Sequence, residues 1–147
     1  MRSQRNVHGK LFGGFVASHA FDLAYFAARY FVRGTPFVPL GLDEAVFVQP
    51  VAIGDMVRMS AAVVHCGDDG IFRVLVNAGV LHPDDPGRQP QRTNVLRFAF
   101  AAHPDGHRTV LPQTYQELLW HVDAARRHAV EAPTPAARRE LDAFFAQ

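Results

Sequence analysis

A proline-free run from Gly13 to Phe31, GGFVASHAFDLAYFAARYF, constrains the fold more than any other stretch of this chain. Rich in Ala, Phe and Leu, it reads as one helix of roughly four to five turns. Asp22 and Arg29 are its only charged residues, and apolar side chains occur almost all round it. A helix of that kind belongs inside a protein, so the rest of the chain has to cover it.

The remaining sequence supplies a cover. RGTPFVP (Arg33–Pro39) breaks the helix, and the pattern then turns to strands. LDEAVFVQPV reads as a short strand ending at Pro50, and IGD as a turn. MVRMSAAVVH reads as a strand, and GDDG (Gly67–Gly70) as a tight hairpin connection. In IFRVLVNAGVL, Phe72, Val74, Val76, Ala78 and Val80 share one face, with Arg73 and Asn77 on the other. HPDDPGRQPQ is a turn-rich loop before the strand RTNVLRFAFAA. A helix is expected from Thr114 to about His128, and a shorter one after it, with Thr134 as N-cap and Pro135 in its first turn. The expectation is an α+β fold in which an antiparallel sheet wraps one long helix, over residues 1–128, with a helical tail over 129–147. Four strands wrap a helix poorly and leave edges open, so a dimer of identical chains is expected.

Composition removes several function classes. The basic side is 14 Arg against the single Lys10, with a net charge of +1 and no basic block, so nucleic-acid binding has no footprint. The one cysteine, Cys66, excludes an intrachain disulfide framework, which favours a reducing, cytoplasmic setting or simply no need for staples. MRSQRNVHGK lacks the apolar core of a signal peptide, and His19, Asp22 and Arg29 interrupt the longest apolar run, so no membrane span is expected. The histidines at 65, 82, 103, 107, 121 and 128 fall in separate strands, turns and tail without ligand spacing, so no metal is expected.

Gly9, Gly13 and Gly14 precede or open the long helix. They serve packing if the first helical turn must approach a strand closely. They serve chemistry if the helix N-terminus, with its outward N–H groups, stabilises an anion or oxyanion. No dinucleotide or P-loop pattern accompanies them.

The segment NVHGKLFGG, followed by the AFDLAY helix, resembles the acyl-CoA thioesterases of hotdog fold. LDEAVFVQPVAIGD, TNVLRFAF and LPQTYQELL are similar to later parts of that family, in the same order. The resemblance runs from about Arg5 to His128 and is strongest to the second domain of the tandem-domain enzymes of mitochondria and their bacterial relatives. It implies acyl-CoA hydrolysis at the seam between two hotdog units, with coenzyme A as part of the substrate and no cofactor. Asn6 would orient the attacking water or the thioester, and Gly13 or Gly14 would offer an N–H to the thioester oxygen. Two departures stand out. Single-domain relatives carry their acid seven positions after the second glycine, where this chain has Phe21; Asp22 is one further, a rotation of roughly 100°. Relatives also begin with a strand before the Asn, where this chain has only MRSQR, so that strand is expected to be missing or truncated.

Asp22 remains the acid candidate, because a carboxylate on an apolar helix is costly unless paired, exposed or used. Ser18, His19 and Arg29 share its face, so a polar strip is the plain alternative, and an ion pair across a dimer another. His8 is a candidate base, or holds Asn6 and its loop in place. Asp43 and Glu44 read as capping or helix-contacting acids, and Asn94 faces the site from a central strand without an assigned role. Arg5, Lys10 and Arg58 are candidates for the phosphates of coenzyme A. Beside hydrolysis stand two other functions: a hotdog module that binds acyl-CoA without turnover, and an acyl-thioester dehydratase.

Overall fold

The computed structural model describes residues 13–147. Helix α1 (Gly13–Val32) is followed by strands β1 (Phe37–Phe47), β2 (Met56–Cys66), β3 (Ile71–Leu81) and β4 (Gln91–Ala102), then helices α2 (Tyr115–Val130) and α3 (Pro135–Phe145). The strands form one antiparallel sheet in the order β1-β4-β3-β2, with α1 across one face.

α1 seats itself on the sheet through a row of small residues. Val16, Ala20, Ala24, Ala28 and Val32 recur every fourth position and are buried, so the helix backbone comes close to the strands. Beneath them lie Phe72, Val74, Val76, Leu96, Phe98 and Phe100, alternate residues of β3 and β4. Their rings interlock: Phe72 stacks on Phe100 at 5.5 Å, and Phe21 meets Phe98 edge-on at 5.7 Å. The expectation of a wholly covered helix is met on one side only. Phe26 and Tyr30 point outward, Tyr30 with 87% of its surface exposed, and Tyr25 is part exposed beside Phe37.

The second face of the sheet, which carries Arg73 and Asn77, is also covered. α2 lies over it, packing Trp120 and Ala124 on Ala62, Val64, Leu75 and Val95. Thr114 and Glu117 form a reciprocal capping box that fixes where α2 begins. Charges flank this small apolar centre. Arg73 is only 6% exposed and is held by Asp43 and, at 2.9 Å, by Glu131. Arg97 pairs with Glu44 and lies 3.4 Å from Asp123, which Arg127 reaches at 3.0 Å.

β1 begins earlier than its sequence pattern foretells, at Phe37 instead of Leu42, and ends at Phe47. Pro39 sits in it because β1 is an edge strand, where a missing N–H costs no ladder bond, and the pairing shifts between Pro39 and Gly41. The GDDG hairpin closes as expected: Gly70 takes φ +79° and Asp69 Oδ1 accepts from the Ile71 N–H at 3.0 Å. Among the described residues no helix is long and apolar enough to cross a membrane.

Candidate active site

The described end of α1 meets β1 at its last residue. A Cβ built on Gly13 would lie 3.1 Å from the Phe47 ring, so glycine here lets the helix start directly above that side chain. The packing role weighed for Gly13 is therefore present. Across the sheet Phe47 pairs with Asn94 of β4, and Asn94 with Ala78 of β3. These three residues share the face that carries Ala45, Val76 and Leu96, the α1 face. Asn94 is 2% exposed, and its Oδ1 has no hydrogen-bond partner among the described residues. The next residue back, Thr93, is equally buried, and its carbonyl accepts from Val48 N–H at 2.8 Å, tying the chain after β1 to this end of the sheet.

Asp22 stands elsewhere. It is exposed on the side of α1 turned away from the sheet, two residues past the fully buried Ala20. Nine residues of helix separate it from Gly13, roughly 13 Å along the axis at 1.5 Å per residue. One chain thus separates the carboxylate from the glycine end, and Gly14 lies exposed beside Gly13. Phe21, at the place where single-domain relatives carry an acid, packs on Phe98 and Phe100. Asn6, His8, Arg5 and Lys10 lie outside the described residues.

Arg58 lines a polar cleft of about 260 Å³ with Arg92, Ser60, Asn77 and Gln89. It opens at the same end of the sheet as Phe47 and Asn94, since Asn77 and Gly79 flank Ala78. A longer apolar groove of about 600 Å³ follows α1 beside the edge strand β2, between Phe26, Tyr30 and Phe31 on one side and Ala61 and Val63 on the other.

Asp43 and Glu44 are neither caps nor contacts of α1; they hold Arg73 and Arg97 on the opposite face. Burial pushes the Asp43 carboxyl up from its ordinary value, although the Arg73 guanidinium beside it pulls downward. Burial acts the same way on Asp123, but hydrogen bonds and charge from Arg127, Arg126 and Arg97 outweigh it and hold that carboxyl low.

The histidines are not all separate. His65, His121 and His128 meet between β2 and α2, with ring centroids 5.3 and 5.2 Å from His65, and Asp69 sits 3.3 Å from His128. His121 Nδ1 lies 2.9 Å from the Val64 carbonyl oxygen. Burial, then the charges of His128, His121 and Arg73, lower the His65 imidazole, with Asp69 opposing them. No group of His, Cys, Asp or Glu suited to a metal ion occurs among the described residues. Burial raises the Cys66 thiol, which fits an unreactive side chain.

No model of a known protein family matches the chain. An acyl-coenzyme A thioesterase of Humulus lupulus chloroplasts is 32% identical over 136 residues, 82% of this chain and 30% of that protein. An acyl-CoA hydrolase of Staphylococcus aureus superposes with a TM-score of 0.78 at 19% identity, covering 99% of this chain and 89% of that one. A hexameric hotdog-fold thioesterase of Campylobacter jejuni superposes at 0.58 with 24% identity, over 83% and 90% of the two chains. The chain spans about 30% of the length of the curated relatives it matches. With a four-stranded antiparallel sheet laid against one long helix, and this kinship in sequence, the chain belongs to the hotdog-fold acyl-CoA thioesterases.

Proposed function

We propose that this chain hydrolyses acyl-CoA thioesters to a free acid and coenzyme A, in a cleft shared by two copies. One observation carries the reading: the glycine end of α1 and the carboxylate of Asp22 belong to one helix but stand roughly 13 Å apart along it, Gly13 over Phe47 and Asp22 exposed on the side turned away from the sheet. A second copy, covering the exposed Tyr25, Phe26 and Tyr30, would bring its Asp22 towards the first copy's glycines. The Staphylococcus aureus neighbour was solved with butyryl coenzyme A and coenzyme A, and the Campylobacter jejuni neighbour is hexameric; both fit such a plan.

In this scheme the thioester oxygen accepts from N–H groups of Gly13 or Gly14. Water, oriented by Asn6, attacks the carbonyl carbon as the C–S bond breaks. Asp22 takes the water's proton and returns it to the departing sulfur, so acid and thiol leave in balance. His8 supports the Asn6 loop, and Arg58 with Arg92 meets the phosphates of coenzyme A. The apolar groove along Phe26 and Phe31 is available to the acyl chain.

A second reading has a specific observation behind it. Phe21, in the place of the relatives' acid, is committed to the core, which favours a module that binds acyl-CoA without turning it over. Incubation with acyl-CoAs of graded length, following thiol release, separates the two. Release with any chain length supports hydrolysis; coenzyme A binding with no release in the series leaves the module. Light scattering tests the assembly, and a monomer of 16.3 kDa at micromolar concentration would refute the shared cleft.

A further inference from the structure

We infer that Asn94 is a catalytic residue of this site, its side-chain oxygen accepting a hydrogen bond from the attacking water. The inference rests on the proposed hydrolysis and adds to it a group on the sheet floor. Asn94 is almost wholly buried, yet its Oδ1 has no donor among the described residues. A buried amide oxygen left without a donor is expensive, and nothing in the packing of the α1 face needs it: every other buried position in its rows of β3 and β4, from Phe72 to Ala78 and from Leu96 to Phe100, is apolar. An apolar residue of similar size would serve the fold better.

Its place gives the reason for keeping it. Asn94 lies between Phe47 and Ala78, and the Phe47 ring touches Gly13 at the described start of α1. The unpaired oxygen therefore sits at the end of the sheet beneath the helix terminus that is proposed to hold the thioester oxygen. The N-terminal end of α1, as described, lies above this part of the sheet. A water caught there can donate one hydrogen to Asn94 Oδ1 and present its lone pair to the carbonyl carbon. Asn94 is uncharged and takes no proton; the proton leaves through the carboxylate, as in the scheme above. Ala78 opposite offers no polar side-chain atom, and Phe47 is the neighbour on the β1 side.

The test compares wild type with Asn94→Leu, which keeps the volume and removes the acceptor, and Asn94→Asp, which keeps an acceptor oxygen. Steady-state thiol release gives kcat and KM, and thermal unfolding is followed alongside. Asn94→Leu should lower kcat by ~10-fold or more with KM changed less than about twofold. Its melting temperature should hold or rise, because an unpaired polar group has been removed. Asn94→Asp should retain most of the rate that Asn94→Leu loses. Should Asn94→Leu fail to fold, Asn94→Ala carries the same comparison, and failure of both to fold would make Asn94 structural and overturn the inference. So would kcat within about twofold of wild type, or a rate loss that only follows a lowered melting temperature. A wild type that releases no thiol is a separate outcome: it removes the hydrolysis reading itself, and this assignment with it.

Discussion

The two faces of the sheet are built on opposite terms. The α1 face is dry and aromatic, seated on alanines, and carries one unpaired amide at its end, Asn94. The α2 face has a small apolar centre ringed by ion pairs among Asp43, Glu44, Arg73, Arg97, Asp123 and Arg127, with a histidine cluster beside it. Ion pairs on the second face hold α2 down, although Arg73 Nε and the Nδ1 atoms of His65 and His128 have no partner among the described residues. Asn94 makes no ion pair, and its place beneath the glycine end of α1 is what points to chemistry. Burying polarity has different meanings on the two faces, and substitution can separate them.

The largest effect is expected at Asp22. Asp22→Asn should cut kcat by ~10²-fold if the carboxylate is the base, the usual scale for such a group. Its melting temperature should hardly move, since Asp22 is exposed on the α1 surface. Unchanged hydrolysis by this variant would reduce Asp22 to a polar strip with Ser18 and His19.

Arg73→Met should do the opposite, lowering stability by about 2 kcal/mol in urea titration while leaving turnover per folded molecule intact. The figure sits below that for a fully buried pair because Glu131 keeps 42% of its side chain in solvent. Adding Asp43→Leu to Arg73→Met should recover much of the loss, since a carboxylate is then no longer left without its cation. A single variant as stable as wild type would mean the ion pairs are incidental to α2 docking.

The smallest effect concerns pH. The folded His65 imidazole lies below its ordinary value of 6.5, so unfolded chain takes up the proton first as pH falls. Stability from this residue is complete above about pH 6.5 and is lost as pH drops through the window below it. Melting temperature between pH 7.5 and 5.5 should therefore fall more steeply in wild type than in His65→Asn. Parallel slopes would show that His65 does not govern α2.

Much of this was readable in the sequence, and the failures have physical causes. IFRVLVNAGVL runs as a strand over the very residues its alternation marks, and Thr134 and Pro135 open α3. The strand pattern that starts at Leu42 leaves out Phe37–Gly41, because Pro39 and Gly41 oppose strand structure; an edge position tolerates both. Arg73 and Asn77 fall on the second face as the alternation places them, but alternation does not show what covers that face, here an ion-paired helix. His65 and His128 lie 63 positions apart, with no local spacing to join them. At the site, Gly13, Gly14 and Asp22 were legible as candidates, and Asn94 as a residue facing the site. The missing acceptor bond that gives Asn94 its interest is a property of packing alone.

The central claim, a site assembled from two chains, is tested most directly by mixing two inactive variants. Asn6→Ala and Asp22→Asn are each expected to be inactive alone, since every cleft in either assembly lacks one group. After joint unfolding and refolding at equal ratio, half the dimers pair one chain of each kind, and one of their two clefts receives Asn6 and Asp22 intact. The account predicts recovery of about a quarter of wild-type thiol release, as random pairing across a two-fold axis requires. No recovery, with mixed dimers demonstrated, would contradict it and place both groups within a single chain.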